Sequence, residues 1–290
     1  MEQERVFAPM WRVGVARSLA HLAEFDRLTK ILERNKIKHF FFKGVVLQQK
    51  LTGSPLGRDS VDLDLKVSSH EFRRTIRMLL HEGYMLPMGL QVEQLEQELP
   101  TELPLIHKKT GVELDIHRHF FAPFYSLSRA EVSLCGLSEE RGFSPLGTAF
   151  FTLLSGAKDG WPQLGRVLDF HLARERVSDS ALRHLCQITG TSRLLELAVE
   201  LDGHLFSEHA ISTRVHPYIQ QLRTRPWSRG FRHYYFVTSR ESIRDQLSSL
   251  ATLPTHTSFM DVVTGIQGRP IHRLIRLIRA YGLNESRGAS

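Results

Sequence analysis

The chain has 290 residues, 41% hydrophobic and 24% charged, with a formal net charge of +7. These are ordinary values for a soluble globular protein, and the length suits one large domain or two modest ones. No apolar run reaches the roughly eighteen residues of a membrane span, which excludes an obvious one.

The N-terminal "MEQERVFAPMWRVG" has acids in front and no apolar h-region, so no signal peptide is expected. Cys135 and Cys186 stand in no ligand spacing and read as reduced thiols of a cytoplasmic protein. The positive charge is compatible with an anionic partner such as a nucleotide, RNA or an acidic peptide.

In chain order, "ARSLAHLAEFDRLTKILERN" places Leu19, Leu22, Ala23, Leu28, Ile31 and Leu32 on a helical period, predicting an amphipathic helix from about Val13 to Asn35. "IKHFFFKG" reads as a short buried strand ending at Lys43-Gly44. "VVLQQKL" reads as a short helix closed by the turn cluster "TGSPLG". Next comes the strand in "RDSVDLDLKV". "SSHEFRRTIRMLLHEGY" follows as a helix, with Ser68 and Glu71 at capping-box spacing. Phe72, Ile76, Leu79 and Leu80 form its inner stripe, and Gly83 its C-terminal glycine. "QVEQLEQELPTEL" is polar and reads as a loop or lid. "LPLIHKK", "TG" and "VELDIHRHF" read as a two-stranded hairpin.

From about Ser144 the texture turns helical: "PLGTAFFTLLSGAK", "LGRVLDFHLARE", "SALRHLCQI", "SRLLELAVEL", "YIQQL" and "IHRLIRLIRAY". The expected architecture is an α+β half over residues 1–143 and an all-helical half over 144–290, ending in a frayed tail.

The chemistry concentrates in two acidic strands. Residues i and i+2 of a strand share a face, so Asp62 and Asp64 point together, while Val61, Leu63 and Leu65 turn to the core. Two ionised carboxylates this close repel unless a cation lies between them. Magnesium, hard and oxygen-seeking, suits such a pair. In "VELDIHRHF", Glu113, Asp115, His117 and His119 alternate with a mostly apolar face. Asp115 beside Asp62 and Asp64 would complete a three-carboxylate site for two divalent ions, the arrangement that serves phosphoryl or nucleotidyl transfer.

The series "FFFKG…GRDSVDLDLKV…EGY…VELDIHRHF" resembles the uncharacterised nucleotidyltransferase family of the DNA polymerase beta-like superfamily. The shared features are Lys43-Gly44, Arg58 four residues before the carboxylate pair, Asp62, Asp64, and Asp115 two residues before His117. "GAKDGWPQLGRVLDFHLAR" matches the family's later series with Lys158, Trp161, Leu164 and Asp169. The chain departs from the superfamily in three ways. No hydroxyl follows Gly44, Arg118 stands where tryptophan is frequent, and the segment from Gly44 to Asp62 is long.

The resemblance implies a nucleotidyltransferase-like mixed β-sheet with flanking helices, followed by a helical domain that covers the nucleotide and selects the acceptor. It implies Mg2+, with Mn2+ possible, and a nucleoside triphosphate such as ATP as substrate. Asp62, Asp64 and Asp115 would bind metal and act in catalysis. Lys43, Gly44, Arg58 and Lys158 would bind the nucleotide, with Asp169 orienting Lys158. The acceptor could be a small molecule, a peptide, a protein or a tRNA.

Two other readings stand beside it. Asp115, His117 and His119 could instead form a manganese or zinc hydrolase site. Alternatively, the chain could be a non-catalytic nucleotide- or RNA-binding module, using "RTRPWSRGFRHYYF" and the arginines of the last helix. For Trp161, Trp227, Phe231 and Tyr235 a core role is expected over base stacking.

Overall fold

The computed structural model describes residues 2–56, 60–86, 100–121, 125, 127–139, 142–161 and 163–206. Arg58, most of "QVEQLEQELPTEL" and everything after Phe206 lie outside the described residues, including both arginine-rich segments. The chain forms two compact units. Among the described residues, one holds those up to Phe120 together with Ser138–Ser144, and the other holds those of Phe121–Leu137 and from Pro145 to Phe206.

The first unit contains α1 (Glu2–Arg34), β1 (His39–Phe41), α2 (Gly44–Thr52), β2 (Leu63–Val67), α3 (Phe72–His81), β3 (Tyr84–Met85), β4 (Glu102–His107) and β5 (Glu113–His117). Its five strands form one mixed sheet in the order β1-β2-β5-β4-β3. The β2–β5 pair is parallel, and the other neighbours are antiparallel. The mixed sheet with flanking helices matches the expectation, as does the β4–β5 hairpin.

One face of the sheet carries Leu63, Leu65, Val67, Leu103, Leu105, Leu114 and Ile116 into a core shared with Leu28 and Leu32 of α1 and Phe72, Ile76 and Leu79 of α3. The run "HFFF" serves both faces. Phe41 joins this core, while Phe40 and Phe42 turn the other way into an aromatic cluster with Phe120 and Phe143, at ring separations of 4.7–6.4 Å.

Several details depart from the sequence reading. Helix α1 begins at Glu2, well before Val13. Its buried stripe runs through Ser18, His21, Glu24, Leu28, Ile31 and Leu32, so Leu19 and Ala23 fall on the exposed side. The stripe admits Glu24 because its charge is met. The Arg27 guanidinium donates to both of its oxygens, at 2.7 and 3.0 Å, and the Tyr84 hydroxyl of β3 donates to it as well.

The capping box of α3 does not form: Ser68 and Glu71 close a turn, and the helix starts at Phe72. Gly83 does end that helix in a left-handed conformation, with φ +97°. Strand β3 was not anticipated. Neither were α4 (Ser128–Gly136) and the two-residue strands β6 (Ser138–Glu139) and β7 (Gly142–Phe143).

The second unit is built on α5 (Pro145–Asp159), which packs against α6 (Leu164–Arg174), α7 (Asp179–Thr189) and α8 (Ser192–Phe206). Helix α5 ends at Gly160 (φ +69°), and Trp161 follows in the left-handed region. The Gly160 and Trp161 amides donate to the carbonyls of Ala157 and Gly156, closing a Schellman motif. The turn folds the indole back over Gly156 and edge-on to Phe170, so Trp161 has the expected core role. No helix among the described residues is long and apolar enough to cross a membrane.

Two predictions follow from this packing. A Cβ on Gly156 would lie 2.2 Å from the Trp161 ring. Gly156→Ala should therefore cost about 1–3 kcal/mol of unfolding free energy, read by urea denaturation.

Burial pushes the Glu24 carboxyl up, but hydrogen bonds from Arg27 and Tyr84, with the charge of Arg27, hold it below its ordinary value. A lowered folded-state pKa gives stability that is present above the unfolded value of about 4.3 and lost as pH falls through the folded one. Melting temperature should therefore fall below about pH 4.3 less steeply in Glu24→Gln than in the parent. Parallel curves would show that the Glu24 pair contributes nothing to acid sensitivity.

Candidate active site

The parallel pairing of β2 and β5 sets Asp64 directly beside Asp115. Each strand alternates, so the leucines and isoleucine enter the core and the carboxylates emerge together on the opposite face. On β5 the next residue of that face is His117. The antiparallel pairing with β4 puts Glu102 opposite His117.

Asp64, Asp115 and His117 are 3%, 4% and 2% exposed. Each offers one ligand atom, and all three atoms lie within 4.8 Å of one another. Two carboxylate oxygens and one imidazole nitrogen at this spacing are compatible with a divalent cation.

Asp64 Oδ1 accepts from two donors, Lys43 Nζ at 2.5 Å and His117 Nε2 at 2.8 Å. The Lys43 ammonium also lies 5.0 Å above the Phe42 ring. Phe42 in turn meets the His117 imidazole edge-on at 5.1 Å. His117 Nδ1 faces Glu102 Oε2 at 3.6 Å.

Burial would push the Asp64 carboxyl up, but the Lys43 charge and the His117 hydrogen bond hold it well below the usual carboxylate range. Burial would lower the Lys43 ammonium, and Asp64 more than reverses that. Burial, joined by the Lys43 charge, lowers His117 despite its hydrogen bond to Asp64. Asp64 and Lys43 thus form an ion pair, with the His117 imidazole beside it.

Lys43 stands at the N-cap of α2, in extended backbone, and Gly44 opens the helix at φ +56°. The glycine is required by space as well as by angle. A Cβ there would lie 2.7 Å from Ser60 Oγ and 3.1 Å from the Asp62 carbonyl. Ser60 Oγ donates to that carbonyl at 2.9 Å, so the segment before β2 is turned against the start of α2. The turn brings a hydroxyl to the glycine from a distant part of the chain, although no hydroxyl follows Gly44 in sequence.

The same turn breaks the strand alternation. Strand β2 starts at Leu63, and Val61 is 63% exposed, not in the core as expected. Asp62 is half-buried just ahead of the strand. Its charge acts on Lys43, but it is not one of the three clustered ligands.

His119 lies beyond the end of β5, half-buried and also outside the cluster, so one imidazole joins the acids where the hydrolase reading had two. Lys158 ends α5 in the helical unit, its ammonium 5.8 Å over the Tyr125 ring. Asp169 is buried on α6 of that unit. Glu102 falls in the polar run that reads as a loop before the hairpin, so nothing in the sequence alone marks it. Counting the ladder outward from the His107–Val112 pair would have placed it opposite His117.

A family profile described as an uncharacterised nucleotidyltransferase matches residues 3–207, more than half of the chain. The chain belongs to this family. No curated protein matches it. The membership joins the acidic sheet face to a family named for nucleotidyl transfer, and the matched span runs from α1 through α8.

Gly44→Ala should lower the unfolding free energy by about 1–3 kcal/mol, because it meets both a left-handed φ and a backbone carbonyl. Gly53→Ala, at φ +74° with open space around it, supplies the conformational cost alone. Equal losses in urea denaturation would show that Ser60 and Asp62 do not press on the helix start.

Proposed function

We propose that the chain is a divalent-metal-dependent nucleotidyltransferase that moves a nucleoside monophosphate from a nucleoside triphosphate to a hydroxyl or phosphate acceptor and releases pyrophosphate. The observation that carries this reading is the buried Asp64–Asp115 pair in parallel register, with its third ligand atom from His117, in a chain of a nucleotidyltransferase family.

The acceptor oxygen attacks the α-phosphorus, and the bond from that phosphorus to the bridging oxygen of the β-phosphate breaks. Pyrophosphate leaves with the electron pair. Asp64 and Asp115 hold the cation, with Asp62 contributing from the turn ahead of β2. A bound Mg2+ or Mn2+ would neutralise charge on the triphosphate there. Asp115 positions the acceptor hydroxyl and takes its proton.

Lys43 contributes a positive charge, and the first amides of α2 behind Gly44 face phosphate, where a helix N-terminus favours an anion. Arg58 and Lys158 are assigned to the triphosphate from their places in the family pattern, and acceptor selection to the helical unit. Catalysis is positioning and charge neutralisation.

The test is a thermal-shift series with each of the four nucleoside triphosphates, with magnesium, with manganese and without metal. The expected result is a metal-dependent rise in melting temperature with at least one triphosphate. That rise should vanish in Asp64→Asn and Asp115→Asn, with circular dichroism checking that each variant folds. Turnover equal to wild type in either variant would refute the assignment. Stabilisation by zinc or manganese alone, with no response to any triphosphate, would favour a metal-dependent hydrolase using Asp115 and His117.

A further inference from the structure

His117 lies between two carboxylates. Nε2 is 2.8 Å from Asp64 Oδ1, and Nδ1 is 3.6 Å from Glu102 Oε2. A neutral imidazole has one N–H, so it can donate to only one of them. With the proton on Nε2 it serves Asp64. With the proton on Nδ1 it turns toward Glu102, and the Nε2 lone pair then faces the space shared by Asp64 and Asp115. Moving between these forms takes up and releases no net proton.

The 2.8 Å between Nε2 and the Asp64 oxygen is close to the ~3 Å that separates adjacent ligand atoms around an octahedral ion with bonds of ~2.1 Å. The ring plane is held by the edge of Phe42 at 5.1 Å, and Glu102 is in direct cross-strand register with His117. The 3.6 Å gap to Glu102 is too long for a hydrogen bond. The Glu102 side chain is 32% exposed, and a rotation of it would close the gap.

We propose that Glu102 is a positioning residue of the metal centre: it holds the proton of His117 on Nδ1, so that Nε2 becomes a nitrogen ligand and the centre prefers manganese to magnesium. The proposal rests on the metal-site reading given under the proposed function and goes beyond it by naming the nitrogen donor and what orients it. Magnesium takes oxygen almost exclusively, while manganese, although it also favours oxygen, stands above magnesium in its affinity for a nitrogen donor, so one imidazole in an otherwise oxygen site shifts preference from magnesium toward manganese. A partner on the far ring nitrogen fixes the tautomer and raises ligand basicity, and losing such a partner costs ~10–100-fold in metal affinity.

The test uses the full chain, with Mn2+ as the probe. Free Mn2+ is counted by its electron paramagnetic resonance signal, and bound Mn2+ is examined by pulsed measurement for nitrogen coupling. Mg2+ affinity is read by competition. Wild type should show one directly bound nitrogen, and His117→Asn should lose it. Glu102→Ala should weaken Mn2+ binding by ~10–100-fold with a smaller change for Mg2+. Glu102→Gln, which keeps an acceptor, should fall between wild type and alanine. Glu113→Gln, an equal charge change at an exposed position of β5, should match wild type.

Circular dichroism checks that each variant folds, and the glutamine variant decides if the alanine one does not. Bound Mn2+ without nitrogen coupling would overturn the proposal while leaving an all-oxygen metal site standing. So would Glu102 variants within twofold of wild type, or an equal loss in Glu113→Gln. No Mn2+ binding at all, with or without a triphosphate, would overturn the metal-site reading together with it.

Discussion

A single oxygen, Asp64 Oδ1, ties together three parts of the first unit. Stripping water from a carboxylate costs several kcal/mol unless donors replace it. Here the donors are an ammonium from the β1–α2 junction and an imidazole from β5. Neither is near Asp64 in sequence, so the charge can be buried only after β1, β2 and β5 have assembled. The start of α2, which carries Lys43 and Gly44, is thereby fixed to the strand that carries the acid. The site's rigidity and its chemistry rest on the same contact.

Strand register decides which face receives that charge. Leu63, Leu65, Leu114 and Ile116 fill the core because Asp64, Asp115 and His117 take the alternate positions. A one-residue slip of β2 would put a carboxylate among Phe72, Ile76 and Leu79 and expose leucines on the other face. The apolar face therefore specifies the polar one. The aromatic cluster of Phe40, Phe42, Phe120 and Phe143 continues this arrangement beside the site: Phe42 touches both Lys43 and His117, so an apolar ring orients two polar groups.

What was legible in the sequence was periodicity and local chemistry. Strong alternation marked β2 and β5, and the apolar stripe marked α3. Asp115 beside the β2 acid followed from the resemblance together with strand geometry. What stayed hidden needed non-local information. Leu19 reads as core on a helical wheel, but the buried stripe of α1 passes through Glu24, and nothing local announces that Arg27 and Tyr84 will satisfy it. Val61 reads as a strand residue until Ser60 is seen bonding back to the Asp62 carbonyl. Strand β3 is two residues long and exists because β4 offers it an edge. Glu102 sits in a polar run and acquires meaning only through hairpin register.

The two acids of the "DLD" motif therefore differ in kind, although spacing makes them look equivalent. Asp64 is locked into the ladder by two donors, and against the push of burial the Lys43 charge and His117 hydrogen bond hold its carboxyl well below the usual range. Asp62 sits on the turn ahead of the strand, half-buried, where Ser60 and the start of α2 set its backbone. The pair thus has one carboxylate whose position is dictated by the sheet and another whose position is dictated by a turn packed on a glycine. A distortion at Gly44 would move Asp62 before it moved Asp64.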